Sequence, residues 1–353
     1  MPPEKDLIDE PDRLPGTPRP REQFSLFGHS QAEAALLEAF RNDRLHHAWL
    51  IGGLRGIGKA TLAYRFARFL LANPTGTGEG AISLAIGPNH PVSRQVAALS
   101  HPNLVALRRL HAPDKKAAST TIPVDAVRRA MSLFESTAAD GGYRICIVDS
   151  AEDLTGSSAN ALLKLIEGPP SRSIFLIVAH APQGVLATVR SRCRRLILKP
   201  LSNDDVRKAL HSLGTLEPGS NGEAFERAVS LAEGSVARAI EMLDPERVAV
   251  VAEVTSVLAG FERLDWKRVL ALAEKLARRD SDELYAIALD TVVCWASDQI
   301  HSRASEGPAR LAGLAEVCEK ISRAALDADA YNLDRRPLII SMMGDLAEAA
   351  RRI

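Results

Sequence analysis

One stretch, Gly53-Leu54-Arg55-Gly56-Ile57-Gly58-Lys59-Ala60-Thr61, constrains this chain more than any other. It follows the apolar run Ala48–Gly52 and precedes the amphipathic stretch Ala60–Ala72, so the glycines fall where a strand turns into a helix. Glycine lets the backbone curl until several N–H groups and a helix N-terminus converge on one point, and Lys59 adds a positive charge there. Such a loop cradles a phosphate. The expected binding set is Gly53, Gly56, Gly58, Lys59 and Thr61, with ATP or ADP as the ligand.

The loop departs from its usual pattern at one position. A Ser or Thr directly after the lysine normally holds Mg²⁺, and Ala60 has no oxygen to offer. Thr61 comes one residue late, which on a helix turns it by about 100°. A second element bears on the same chemistry: Ile145-Cys146-Ile147-Val148-Asp149 reads as a buried strand ending in a carboxylate that either orients Mg²⁺ or merely ends the strand. The next residue is Ser150, where a hydrolase of this kind keeps an acidic base. Glu152 and Asp153 lie nearby but leave the strand on a different heading, so they read as helix or loop charges. Asp149 joins the binding set, Mg²⁺ is only weakly supported, and hydrolysis by this chain alone is not expected.

The rest of the chain fits a parallel sheet between helices. Strands are predicted at Ala48–Gly52, Leu104–Leu107, Arg144–Asp149, Ser173–Val178 and Arg195–Leu198. Helices are predicted at Ala60–Ala72, Val124–Phe134 and Ser157–Glu167, the last capped by Ser157 or Ser158 and stopped by Gly168-Pro169-Pro170. Residues 73–101 read as a loop-rich insertion, and 1–23, dense in proline, as a mobile tail. After Pro200 strand signals end. The expected division is a tail at 1–23, an α/β phosphate-loop domain at 24–200, a small helical lid at 201–244 and an all-α C-terminal domain at 245–353.

Composition narrows the function classes. With 353 residues, 44 Lys+Arg against 44 Asp+Glu leave no net charge, which argues against coating nucleic acid or an anionic membrane by bulk electrostatics. The four cysteines, Cys146, Cys193, Cys294 and Cys318, never form a CxxC pair, so neither a zinc knuckle nor a disulfide framework is written here. No apolar run reaches the length of a membrane span, and the expected location is the cytoplasm.

Four stretches in order carry a family resemblance: Leu45-His46-His47-Ala48-Trp49-Leu50, Ile145–Asp149, Ser158–Pro170 and Val189-Arg190-Ser191-Arg192-Cys193. The third is similar to the signature NALLKxLEEPP, with Gly168 in place of a Glu, and the fourth contains an SRC tripeptide. Together they resemble the bacterial clamp loaders of the replicative DNA polymerase, an AAA+ family. The resemblance implies an AAA+ fold with a helical lid and an oligomerising collar. It further implies a hetero-pentameric ring with gamma/tau and delta subunits as partners, reaching the sliding clamp and primer-template DNA through the complex, with no membrane involved. Ala60 and Ser150 match the family's subunits with degenerate motifs rather than its motors. Ala179-His180 stands where the motors keep a sensor threonine, and in Gly234-Ser235-Val236-Ala237-Arg238-Ala239 the sensor arginine is displaced by one residue. The family's zinc module would fall between Asn73 and Ser100, where no cysteine occurs, so no metal is expected.

The resemblance assigns Arg192 the role of a finger that reaches a neighbouring subunit's γ-phosphate, its guanidinium fork stabilising charge on the transferring group. Without the family context, the same arginine reads as one of a solvated basic run, Arg190, Arg192, Arg194 and Arg195. Trp266 and Trp295 read as core or interface anchors, His46 and His47 as packing residues, and Cys193 as an inert small side chain. Two functions compete: a non-hydrolysing subunit that braces a ring and donates Arg192, and an ATPase in its own right, whether a motor or a stand-alone phosphate-loop enzyme.

Overall fold

The computed structural model describes residues 17–74, 81–109, 121–135, 141–214, 222–260, 263–278, 281–303, 313–314, 316–318, 320–321, 323–324, 328 and 333–351. The chain forms two compact units, one running to Ile240 and one from Glu241 onward.

The first unit is built on five parallel strands: β1 (Ala48–Gly52), β2 (Leu104–Arg108), β3 (Arg144–Asp149), β4 (Ser173–Ala179) and β5 (Arg194–Ile197). Their spatial order is β2-β3-β4-β1-β5. Every residue of β1, β3 and β4 is buried, as expected of strands covered on both faces. Alternate side chains serve two cores. Trp49, Ile51, Ile145, Ile147, Leu176 and Val178 meet α1 (Ser30–Arg41) and α2 (Lys59–Ala72). Leu50, Cys146, Val148, Phe175 and Ile177 take the other face, against α4 (Val124–Glu135) and α5 (Gly156–Glu167). The edge strand β5 stays mostly exposed, with Ile197 at 57%.

Three local expectations change. The insertion contains a short helix, α3 (Pro91–Ala97), whose N-terminus is capped by His90 accepting from the Val92 N–H. The cap of α5 is Thr155, whose Oγ1 accepts from the Ser158 N–H, while Ser158 Oγ donates to the Ile122 carbonyl and ties α5 to the next layer. Of the expected tail, 1–16 lie outside the described residues, but from Thr17 the chain is docked. Arg21 is buried and donates to Ala97 O, and the Arg68 guanidinium reaches back to the carbonyls of Arg21 and Gln23 while lying over the Phe24 ring. Proline content marked this segment as unable to pack. Its backbone carbonyls, satisfied by an arginine far along the chain, hold it instead.

After α6 (Ala187–Arg190) and β5, the same unit continues with α7 (Asn203–Leu213), α8 (Glu223–Leu231) and α9 (Val236–Glu241). The second unit packs α10 (Pro245–Ala259), α11 (Trp266–Leu276), α12 (Asp282–Ser302) and α13 (Arg335–Arg351) around Val254, Leu272, Tyr285, Val292, Met343 and Leu346. Asp244 and Asp265 cap α10 and α11. Trp295 packs against this core, whereas Trp266 is 47% exposed at the start of α11. Among the described residues no helix is long and apolar enough to cross a membrane.

Candidate nucleotide site and arginine edge

The phosphate loop leaves the C-terminal end of β1. Gly53, Gly56 and Gly58 take φ values of 140°, 75° and 97°, and Gly58 immediately precedes α2. These are the conformations that only glycine adopts without strain, and they wrap the loop onto the helix N-terminus. Gly56, Gly58, Lys59, Ala60 and Thr61 line a cavity of about 140 Å³. Pro18, Pro20 and Leu26 wall it on one side, and Leu213, Val236, Ala237 and Ile240 of the lid helices on the other. Ligand clefts typically hold roughly 300–1,000 Å³, so this one is small.

What crowds it is visible in hydrogen bonds. Ser235 Oγ donates to Arg55 O (2.8 Å) and the Val236 N–H to Gly56 O (3.0 Å), so α9 begins directly on the loop. A methyl group at Gly56 would come within 2.3 Å of the Ala237 Cβ. His29 Nε2 donates to Ile57 O (2.7 Å), and burial holds its pKa below the ordinary imidazole value although that bond acts in the opposite direction. Lys59 is 3% exposed, its ammonium donating to Leu54 O at 2.6 Å. Arg238 forms an ion pair with Glu233 and is not part of the cavity wall.

Asp149 does end β3 and is 3% exposed. Its register partner on β2 is Arg108, which in a parallel pair projects to the same face. Burial lowers the Arg108 pKa, with Tyr64 and Asp149 acting to raise it, and the buried Tyr64 phenol is itself pushed up by desolvation and then by Asp149. Neither Asp149 nor Gly53 lines the cavity. Glu152 Oε1 accepts from the backbone N–H groups of His180 and Ala181, both at 2.7 Å, and so ties the end of β4. Asp153 pairs with Arg109 and accepts from Ser150. The glycine cradle suits a phosphate. The donor set suits Mg²⁺ poorly: Ala60 offers nothing, Asp149 does not line the cavity, and Glu152 and Asp153 are committed elsewhere. His90 and His101 both serve as backbone acceptors, for the N–H groups of Val92 and Asn103.

Arg192 lies at the other end of the sheet. It precedes β5, which runs parallel to β1 with Trp49 opposite Arg194 and Gly52 opposite Ile197. At about 3.3 Å per residue, Arg192 and the chain's own phosphate loop are separated by roughly 20 Å along the strands. The guanidinium is 41% exposed, with Nη2 2.8 Å from Glu167 Oε1 and Nη1 donating to Thr188 O at 3.0 Å. Arg194 lies over the Trp49 ring, and burial pushes the Cys193 thiol up to about 12, which leaves no thiolate at neutral pH. Sequence reasoning missed Glu167, Ser235 and His29. Glu167 left a trace as an acid at the C-terminal end of a helix, where its charge is locally unfavourable, and Ser235 as part of the Gly234–Ala239 stretch.

The sequence matches known proteins over much of its length. The family described as DNA polymerase III, delta subunit, matches residues 28–202. The Yersinia pestis DNA polymerase III subunit delta prime is 33% identical over 248 residues, covering 68% of this chain and 67% of that one. Its Escherichia coli counterpart is 35% identical over 165 residues, with 47% and 46% covered. The Escherichia coli subunit tau is 27% identical over 272 residues, 76% of this chain but 40% of the longer tau. The chain thus spans from under half to two thirds of the length of these relatives.

Proposed function

Because this chain belongs to the delta prime family of DNA polymerase III clamp-loader subunits, we propose that it braces the loader ring without turning ATP over and lends Arg192 to a neighbour's nucleotide. The observation that carries this reading is the placement of Arg192. An exposed guanidinium roughly 20 Å from its own phosphate loop has no nucleotide of its own to act on. Across a subunit boundary, its planar fork would stabilise charge on the neighbour's transferring phosphoryl group, so hydrolysis there would wait on docking of this subunit. The neighbours proposed are gamma/tau and delta subunits, with the sliding clamp and primer-template DNA engaged through the complex.

The chain's own loop supports the other half of the reading. It retains a cradle for phosphate, so weak ATP or ADP binding is proposed, without Mg²⁺. Ala60, Ser150 and the engaged Glu152 leave neither a metal hydroxyl nor a positioned base. In a reconstituted loader, Arg192→Ala should lower DNA- and clamp-stimulated ATP hydrolysis and clamp loading while assembly stays intact. Unchanged turnover would remove the finger. A second reading, an ATPase in its own right, draws on Thr61, which lines the cavity and could approach a bound phosphate. Steady turnover by the purified chain, abolished by Lys59→Ala, would favour it.

A further inference from the structure

Arg192 is held by three acceptors of its own chain. Nη2 is 2.8 Å from Glu167 Oε1, and Nη1 donates to Thr188 O at 3.0 Å and to Ser191 Oγ at 3.4 Å. Thr188 belongs to α6, whose C-terminal carbonyls carry the negative end of a helix dipole, and Glu167 is the last residue of α5. Two helix ends therefore converge on one guanidinium. A guanidinium has five N–H donors; the two hydrogen bonds use those of Nη1, and the Nε–H and the Nη2 edge beside the Glu167 ion pair form a fork suited to two oxygens of one phosphoryl group.

The presence of Glu167 is not explained by its own helix. A carboxylate at a helix C-terminus faces the exposed carbonyl ends, and basic residues are favoured there. Lys164 in the last turn follows that preference, and Glu167 violates it. Gly168-Pro169-Pro170 then stops the helix and fixes where the carboxylate stands. Both side chains are open to water, at 41% and 44%, so the pair adds little to stability. What it supplies is direction: a long side chain that would otherwise sample many rotamers is held with its free donors outward.

We propose that Glu167 is the positioning residue for Arg192, presetting the guanidinium for the neighbour's phosphate. This rests on the reading of Arg192 as a finger supplied in trans. The test uses the full chain in a reconstituted loader complex, with DNA- and clamp-stimulated ATP hydrolysis measured across ATP concentrations. Glu167→Ala should lower kcat by roughly tenfold to a hundredfold at unchanged KM, in keeping with the cost of misplacing a reacting group by about 1 Å. Glu167→Gln, which keeps an acceptor oxygen, should recover most of the loss, and assembly and melting temperature should match the parent protein. In an Arg192→Ala background, Glu167→Ala should change nothing further. An unchanged kcat for Glu167→Ala would overturn the proposal, and a raised one would make Glu167 a brake. If Arg192→Ala itself leaves turnover untouched, it is the finger reading that fails, and the positioning role falls with it.

Discussion

The two ends of one five-stranded sheet are built to opposite rules. At the C-terminal end of β1, four successive carbonyls of the phosphate loop are occupied: Leu54 by Lys59, Arg55 by Ser235, Gly56 by Val236 and Ile57 by His29. At the N-terminal end of β5, Arg192 stands at the surface on contacts that water can exchange. The first end spends its polar groups on the protein itself. The second leaves its guanidinium 41% exposed to solvent. In a delta prime family member, that contrast supports a subunit that contributes more to a neighbour's chemistry than to its own.

The closed end can be broken most directly at Gly56. Gly56→Val would bring a side chain against Ala237 and Ser235 at a φ of 75°, and overpacking with a left-handed β-branched residue should cost about 3 kcal/mol. Denaturant unfolding measures this, and a variant as stable as the parent would mean that α9 does not press on the loop. Arg68→Met comes next. It strips the Arg21 and Gln23 carbonyls of their donor, and a loss of about 2 kcal/mol is expected, with faster proteolysis of the N-terminal segment. Loss of that segment with no change in the cavity would separate its docking from the packing of α9 on the loop.

A smaller effect concerns pH. His29 is buried beside the loop with its pKa lowered, so its contribution to stability is complete above the unfolded value of about 6.5. As pH falls below that value the unfolded chain takes up a proton that the folded one resists, and stability declines until the folded pKa is passed. Melting curves from pH 8 to pH 5 should show this decline, and His29→Gln should flatten part of it. His47, also lowered by burial, contributes in the same direction.

The sheet was legible because fully buried parallel strands are continuous apolar runs, and Ile145–Val148 or Ile174–Val178 could hardly be anything else. The loop was legible through its glycines, three of which take positive φ. The seating of α9 on the loop was not. The Ser235–Arg55 bond joins residues 180 positions apart, and no local pattern announces such a contact. The docking of Thr17–Gln23 was hidden for the same reason, since the donor that holds it is Arg68. Thr155 lost out to Ser157 and Ser158 as the expected cap because all three are good capping residues within one turn. Glu152 looked like a stray charge until β4 placed two N–H groups against it.

The central claim, that this chain supplies a group to a neighbour and does not consume ATP itself, is tested most directly by comparing two substitutions in the same reconstituted complex. Single-turnover ATP hydrolysis would be followed at the adjoining subunit's site for Arg192→Ala and for Lys59→Ala. Arg192→Ala should slow that site by about a thousandfold or more, the usual worth of an arginine finger, and Lys59→Ala should leave it at the parent rate. The reverse pattern, hydrolysis lost with Lys59→Ala and kept with Arg192→Ala, would contradict the account.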